Sequence, residues 1–237
     1  MIKAVIFDFG GTIDTNGIHW SEKFRLTYEK AKLNIKTDDF NEAYVNAEPK
    51  MYRTVLEDDD LFITLQKQSY LQLEYLVKNK DYKFYNSPGV VASDIAETCC
   101  KDVVNCVEEV KIVLNEFKDK LKFSLVSNFY GNIKSVLKSL NIDNYFVSII
   151  DSTKVNIRKP DKRIFELAIK ELNVKAENTL AVGDSYERDI MPAKLLGCKT
   201  VWINVQSWTQ PDDTSNADFI IKDIKDLKNI INKLNND

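Results

Sequence analysis

The stretch Ala4-Val5-Ile6-Phe7-Asp8-Phe9-Gly10-Gly11-Thr12-Ile13-Asp14 (AVIFDFGGTID, residues 4–14) decides the fold. Residues 4–7 are a short, unbroken apolar run, which predicts a strand buried on both faces. The run ends at Asp8, and Gly10-Gly11 follow as the mark of a tight loop, the part of such a unit where chemistry sits.

Three further runs have the same form: FSLVSN (123–128), TLAVGDS (179–185) and TVWINV (200–205). Helical apolar spacing is found over Cys106–Lys120, Asn132–Leu140, Lys162–Leu172 and Asp189–Leu196, the last followed by Gly197 as a terminator. ADFII (217–221) reads as an edge strand before a closing helix from Ile224 to Leu234. Such βα alternation predicts an α/β fold: a Rossmann-like parallel sheet with helices on both faces.

Residues 17–100 differ. They lack strong strand runs and carry helical patterns rich in aromatic and charged residues, such as LFITLQKQSYLQLEYLV (61–77). They predict an inserted α-helical domain, with the core formed by residues 1–16 and 101–237. The aromatic series from Tyr70 to Tyr85 reads as the packed face of that insertion.

With 237 residues, 44% of them hydrophobic, the chain is large enough for a real core. Its 33 basic and 36 acidic residues, a net charge of −3, are scattered, so no basic face for nucleic acid is expected. The apolar run before Asp8 is too short for a secretion signal, and no membrane-spanning run occurs. Cys99, Cys100, Cys106 and Cys198 follow no metal-ligand spacing, and a reducing, cytoplasmic setting is expected.

In a parallel α/β sheet ligands bind beyond the carboxyl ends of the strands. The polar residues there are Asp8, Ser127 with Asn128, and Asp184 with Asp189, and Arg158-Lys159-Pro160 adds a cation before the helix that precedes Asp184. Carboxylates converging on one point repel each other unless a hard cation lies between them, and Mg²⁺ takes one or two carboxylates plus phosphate oxygens. The set predicts a Mg²⁺ and phosphoryl site.

AVIFDFGGTID, SLVSN, IRKPDKRIFELAI and LAVGDSYERDI, in this order, resemble the four motifs of the haloacid dehalogenase superfamily of phosphohydrolases, and the helical insert resembles that family's cap. The resemblance implies that Asp8 is a nucleophile forming an aspartyl-phosphate from a small phosphorylated substrate. It implies that Ser127, with Asn128, binds the phosphoryl group and that Lys159 offsets its charge. Asp8, the Gly10 carbonyl and Asp184 would hold Mg²⁺, with Asp189 orienting metal-bound water or ligating directly.

One position departs from the pattern. Phosphatases of this family carry a second aspartate two residues after the nucleophile, where this chain has Gly10. Asp14 or His19, the chain's single histidine, could replace it as acid and base, although Asp14 also reads as a loop-bonding residue and His19 as a packing residue. A substrate that needs no acid is the second option, including a phosphonatase-like carbon–phosphorus cleavage that uses a cap lysine. Lys50 is the first candidate for that role, with Lys23, Lys30 and Lys67 behind it. The third option is a chain that only binds a phosphorylated ligand or a protein partner. Halide release fits less well, since it needs no metal.

Overall fold

A computed structural model describes residues 1–205 and 211–236; the expected core segment 101–237 thus includes residues 206–210 and 237, which lie outside the described residues. Among the described residues six strands form one sheet: β1 (Ala4–Phe7), β2 (Lys122–Ser127), β3 (Phe146–Asp151), β4 (Thr179–Gly183), β5 (Lys199–Ile203) and β6 (Phe219–Ile221). Their order is β3-β2-β1-β4-β5-β6 and every pairing is parallel. The helices of the insertion are α1 (Trp20–Lys30), α2 (Thr37–Thr54), α3 (Leu61–Lys80) and α4 (Pro88–Phe117). Around the sheet lie α5 (Ile133–Ser139), α6 (Ser152–Val155), α7 (Arg163–Leu172), α8 (Met191–Leu195) and α9 (Leu227–Asn236).

The unbroken apolar runs serve two layers at once, because successive strand side chains point to opposite faces. Val5, Phe7, Phe123, Leu125, Val182 and Val201 pack with residues of α4, α5 and α9. Ala4, Ile6, Val126, Ile150 and Ala181 pack on the other side with Ile164, Phe165, Ala168 and Leu172 of α7 and Ala193 of α8. The expected α/β architecture with a helical insertion is therefore present.

Several elements differ from expectation. β3 does not stand out in the sequence because it is an edge strand: Ser148 interrupts its apolar run and Val147 is 63% exposed. The helix expected to start at Cys106 starts at Pro88 and runs unbroken to Phe117. Its buried stripe, Val91, Ile95, Cys99, Val103, Val107, Val110, Leu114 and Phe117, crosses the boundary expected between residues 100 and 101 without a break. Instead of one helix over 189–196, a wide helical turn at Tyr186–Ile190 leads into the short α8.

The packed face of α3 is not the aromatic series. Leu61, Leu65, Leu73 and Leu76 fill it, while Tyr70, Tyr75, Tyr82 and Tyr85 sit at the rim with their hydroxyls on Glu74, Glu42, Asp39 and Asp94.

Candidate active site

The strand order reverses at β1, with β2 and β3 on one side and β4 to β6 on the other, and such a switch point opens a crevice at the carboxyl ends. Phe7 lies opposite Leu125 of β2 and Val182 of β4. Asp8, Ser127 and Asp184 therefore leave three adjacent strands at one end of the sheet. The Asp8 amide still donates to the Val182 carbonyl at 2.9 Å, so the chain is held in sheet geometry up to the first site residue.

All three carboxylates are buried, and ligand oxygens of Asp8, Asp184 and Asp189 lie within 4.8 Å of one another. The Lys159 ammonium bridges two of them, 2.5 Å from Asp8 Oδ1 and 2.6 Å from Asp189 Oδ1. Thr12 Oγ1 donates to Asp8 Oδ2 at 3.1 Å and lies 3.5 Å from Asp184 Oδ1. Asp189 Oδ2 accepts from the Ser185 amide at 3.0 Å, and the Asp184 carbonyl accepts from the Trp202 indole at 2.8 Å.

Burial raises the Asp8 carboxyl to about 6, against the pull of Lys159. Burial and the charges of Asp8 and Asp189 raise Asp184 well above the ordinary carboxylate range. Burial alone would lower the Lys159 ammonium, but Asp189 and Asp8 outweigh it and raise it. One lysine among three buried carboxylates leaves negative charge uncompensated, which is the donor set and the electrostatic demand of a hard divalent cation.

Asn128 sits elsewhere in the design than expected. Its Nδ2 donates to the Lys159 carbonyl at 3.0 Å and its Oδ1 accepts from the Lys159 amide at 2.9 Å, so both ends of the carboxamide grip the backbone that carries the ammonium. The Ser127 hydroxyl, at the end of β2, makes no hydrogen bond to a described residue. Asp151, at the end of β3, shapes the loop after β2 by accepting from the amides of Gly131, Ile133 and Thr153.

The two candidates for the missing acid are tied down. Asp14 Oδ1 accepts from the Gly11 amide and Oδ2 from the Trp20 indole, both at 2.7 Å, while burial raises its carboxyl to about 7. A Cβ at Gly10 would lie 3.7 Å from that same indole, so Trp20 flanks the space into which a second aspartate would project. His19 caps α1, its Nδ1 accepting from the Ser21 amide at 3.2 Å, and burial, aided by Arg188, lowers it to about 4.

None of the four candidate lysines reaches this cluster. Lys50 lies exposed on the outer side of α2 and bonds Asn46, Lys30 is exposed, Lys23 pairs with Asp102, and Lys67 pairs with Asp59. Helical spacing explains the case of Lys50: two residues from Glu48, it points to the opposite side of the helix. Thr12 and Trp20 went unread in the sequence, although Thr12 lies within AVIFDFGGTID and Trp20 adjoins His19; Asn128 and Lys159 were read singly, and their pairing was not.

Gly11 has φ +98°, and a Cβ there would fall 2.3 Å from Asp184 Oδ2. Gly11→Ala combines left-handed strain of roughly 1–2 kcal/mol with displacement of Asp184. Its melting temperature should fall by about 4 °C or more in a thermal scan; an unchanged midpoint would refute the tight packing argued here.

A model of the haloacid dehalogenase-like hydrolase family matches residues 2–197. A glyceraldehyde 3-phosphate phosphatase of Pyrococcus abyssi is 33% identical over 132 residues, 54% of this chain and 55% of that one. One from Methanothermobacter thermautotrophicus is 26% identical over 98% of this chain and 100% of its own. The chain spans 43%, 55% and 41% of three archaeal glyceraldehyde 3-phosphate phosphatases that it matches.

Among solved structures, the magnesium-bound HAD-hydrolase YfnB of Bacillus subtilis superposes with a TM-score of 0.59 at 19% identity, covering 98% of this chain and 99% of that one. A HAD phosphatase of Thermococcus onnurineus gives 0.56 at 23%, covering 97% and 98%. These two likenesses speak to the fold. The family match over most of the chain, on a sheet that gathers the four motif ends at its switch point, leads to one conclusion: the chain belongs to the haloacid dehalogenase-like hydrolase family.

Proposed function

We propose that the chain is a Mg²⁺-dependent phosphatase that hydrolyses a small phosphorylated metabolite through an aspartyl-phosphate at Asp8. The observation that carries this reading is the buried cluster of Asp8, Asp184 and Asp189 with only Lys159 to compensate it. Phosphatases among the relatives support the choice of phosphate esters.

In this reading Asp8, Asp184, Asp189 and the Gly10 carbonyl hold Mg²⁺, which supplies charge neutralisation to the transferring phosphoryl oxygens. An Asp8 carboxylate oxygen attacks phosphorus, the ester P–O bond breaks, and the leaving alkoxide takes a proton from water. Lys159 and the Ser127 hydroxyl hold phosphoryl oxygens, and Asn128 holds Lys159 in place. Water then attacks phosphorus, releasing inorganic phosphate and restoring the Asp8 carboxylate.

No carboxylate at position 10 serves the leaving oxygen, and Asp14 and His19 are engaged with Gly11, Trp20 and Ser21. Poor leaving groups should therefore lag behind acyl and aryl phosphates by a larger factor than in an enzyme with that acid, whose help is worth about 10²–10⁴-fold. None of Lys50, Lys23, Lys30 and Lys67 contacts the cluster, which favours phosphate esters over the carbon–phosphorus route.

Residues 17–100 act as the cap and residues 1–16 with 101–237 as the catalytic core, the division falling within α4. The cytoplasmic setting belongs to the same proposal and rests on four free thiols.

The test is a panel of phosphate esters, acyl phosphates and phosphonates with Mg²⁺ or with EDTA. Phosphate release should be lost in EDTA, and borohydride should trap no lysine adduct from a phosphonoaldehyde. Metal-independent turnover would sink the mechanism.

Stability offers a second measurement. Asp8, Asp14 and Asp184 have raised carboxyls in the fold, so the folded protein binds more protons than the unfolded chain once pH exceeds about 4. Their contribution is fully present below that value and is lost as pH rises through about 6 for Asp8 and about 7 for Asp14. Melting in EDTA should accordingly fall across this window. At pH 7.5, Mg²⁺ at about 100 times its Kd adds roughly 2.7 kcal/mol, or about 5–10 °C. No Mg²⁺ response in calorimetry would contradict a metal at this cluster.

A further inference from the structure

Two chains of aromatic contact leave the Asp8 loop and meet on one face of α2. On one side Trp20, beside Gly10, packs on Phe24 at 5.2 Å, and Phe24 meets Tyr44 at 6.4 Å. On the other, Phe9 meets Phe129 at 5.9 Å and Phe129 meets Tyr130 at 5.2 Å. Tyr44, Glu48 and Tyr52 recur every fourth residue, so they share that face of the helix. Its orientation towards the core is settled by contacts: Tyr130 packs on Tyr52 at 5.0 Å and donates from its hydroxyl to Glu48 Oε1 at 2.9 Å. Arg158, the neighbour of Lys159, lies 4.9 Å over the Tyr52 ring and donates to its hydroxyl.

Glu48 is the unusual member of this wall. Oε1 accepts twice, from Tyr130 and from Gln68 Nε2 at 3.0 Å, while no described residue donates to Oε2. A strut between α2, α3 and the loop after β2 would need only a neutral acceptor. Glu48 is only partly buried and its Oε2 keeps contact with solvent, so a donor carried by a ligand can reach it. Burial raises the Glu48 carboxyl, and Tyr130, Arg158 and Arg188 counter it.

We propose that Glu48 is a specificity-determining residue whose Oε2 accepts a hydrogen bond from a hydroxyl or ammonium group on the leaving group, so that the substrates are small phosphorylated polyols or amino alcohols. The proposal rests on the phosphatase reading of Asp8. Tyr44, one turn from Glu48 on that face, lies within electrostatic reach of Asp14 and Asp184, so the wall borders the crevice in which the leaving group of a phosphate ester at Asp8 would lie.

The experiment compares sn-glycerol 3-phosphate and O-phosphoethanolamine with n-propyl phosphate, which has a similar chain length and no donor, in the full-length protein with Mg²⁺. A hydrogen bond to a charged group predicts kcat/KM roughly 10- to 100-fold higher for the donor-bearing pair. In Glu48→Leu that ratio should fall towards unity. In Glu48→Gln, whose carboxamide donates where the carboxylate accepts, it should fall more for the ammonium than for the hydroxyl substrate. Tyr130→Phe, which removes one donor positioning Oε1, should give an intermediate ratio.

Equal kcat/KM for all three substrates in the wild type, a measurement that needs no variant, would overturn the proposal while leaving the phosphatase reading intact. An undiminished ratio in Glu48→Leu would do the same. Absence of turnover of these esters and of p-nitrophenyl phosphate would overturn both.

Discussion

Asp8→Asn is expected to abolish phosphate release, lowering kcat by a factor on the order of 10⁴–10⁶, the range found when one member of a catalytic unit is removed. The carboxamide has the shape of the carboxylate, and its oxygen can still accept from Lys159, which contacts Asp8 Oδ1 at 2.5 Å. Its nitrogen cannot attack phosphorus. The fold should survive, since Asp8 lies past the end of β1 and contributes its backbone, not its side chain, to the sheet. Acid-quenched wild-type enzyme should carry a phosphoryl group in an intact-mass spectrum, and the variant should not. The pH profile has a defined sign: with Asp8 raised to about 6, the reactive carboxylate form grows as pH rises through that value, and a bound cation moves the rise lower. Full activity in Asp8→Asn would remove the covalent mechanism.

Lys159→Met should produce the second largest effect, on both stability and rate. The ammonium is buried against Asp8 and Asp189 at 2.5 and 2.6 Å, and Asp184 completes the acidic cluster. Removing one partner of a buried ionic group leaves charge uncompensated and costs about 3–5 kcal/mol. Urea unfolding in EDTA at pH 7.5 should show this loss as a lower midpoint. Mg²⁺ should raise the variant's midpoint by more than the wild type's, because the cation replaces part of the missing charge. The rate should still fall by about 10²–10³-fold, the effect of losing one preorganised electrostatic partner of the transition state. Lys159→Arg should restore little, since a planar guanidinium does not fit where a compact ammonium touches two carboxylates. Equal urea midpoints for Lys159→Met and wild type would show that the bridge is not what holds the cluster.

The departure at Gly10 looks different in three dimensions. Read along the chain, it is a missing aspartate with Asp14 and His19 as replacements. In space it is a neighbour of Trp20, whose indole is tied to Asp14, while His19 is occupied in capping α1. The substitution is therefore part of a local arrangement that joins the first loop to the insertion, and the proposed substrate-selecting wall continues from it through Tyr44 to Glu48.

The positions of Asp8, Ser127 and Asp184 were readable because each ends an apolar run, and hydrophobic burial of a strand on both faces is a local, periodic property of the chain. The parallel sheet and the helical insertion followed from the same patterning. β3 escaped because an edge strand need bury only part of its surface, and the upper half of α4 escaped because its buried stripe continues across the division expected between insertion and core. What only the tertiary structure decided are pairings between residues far apart in sequence: Lys159 with Asp8 across 151 positions, Asn128 with the Lys159 backbone across 31, and Tyr130 with Glu48 across 82. Such pairs leave no period in the sequence. They arise where packing brings two surfaces together, and there the cost of an unpartnered buried charge selects which side chains meet.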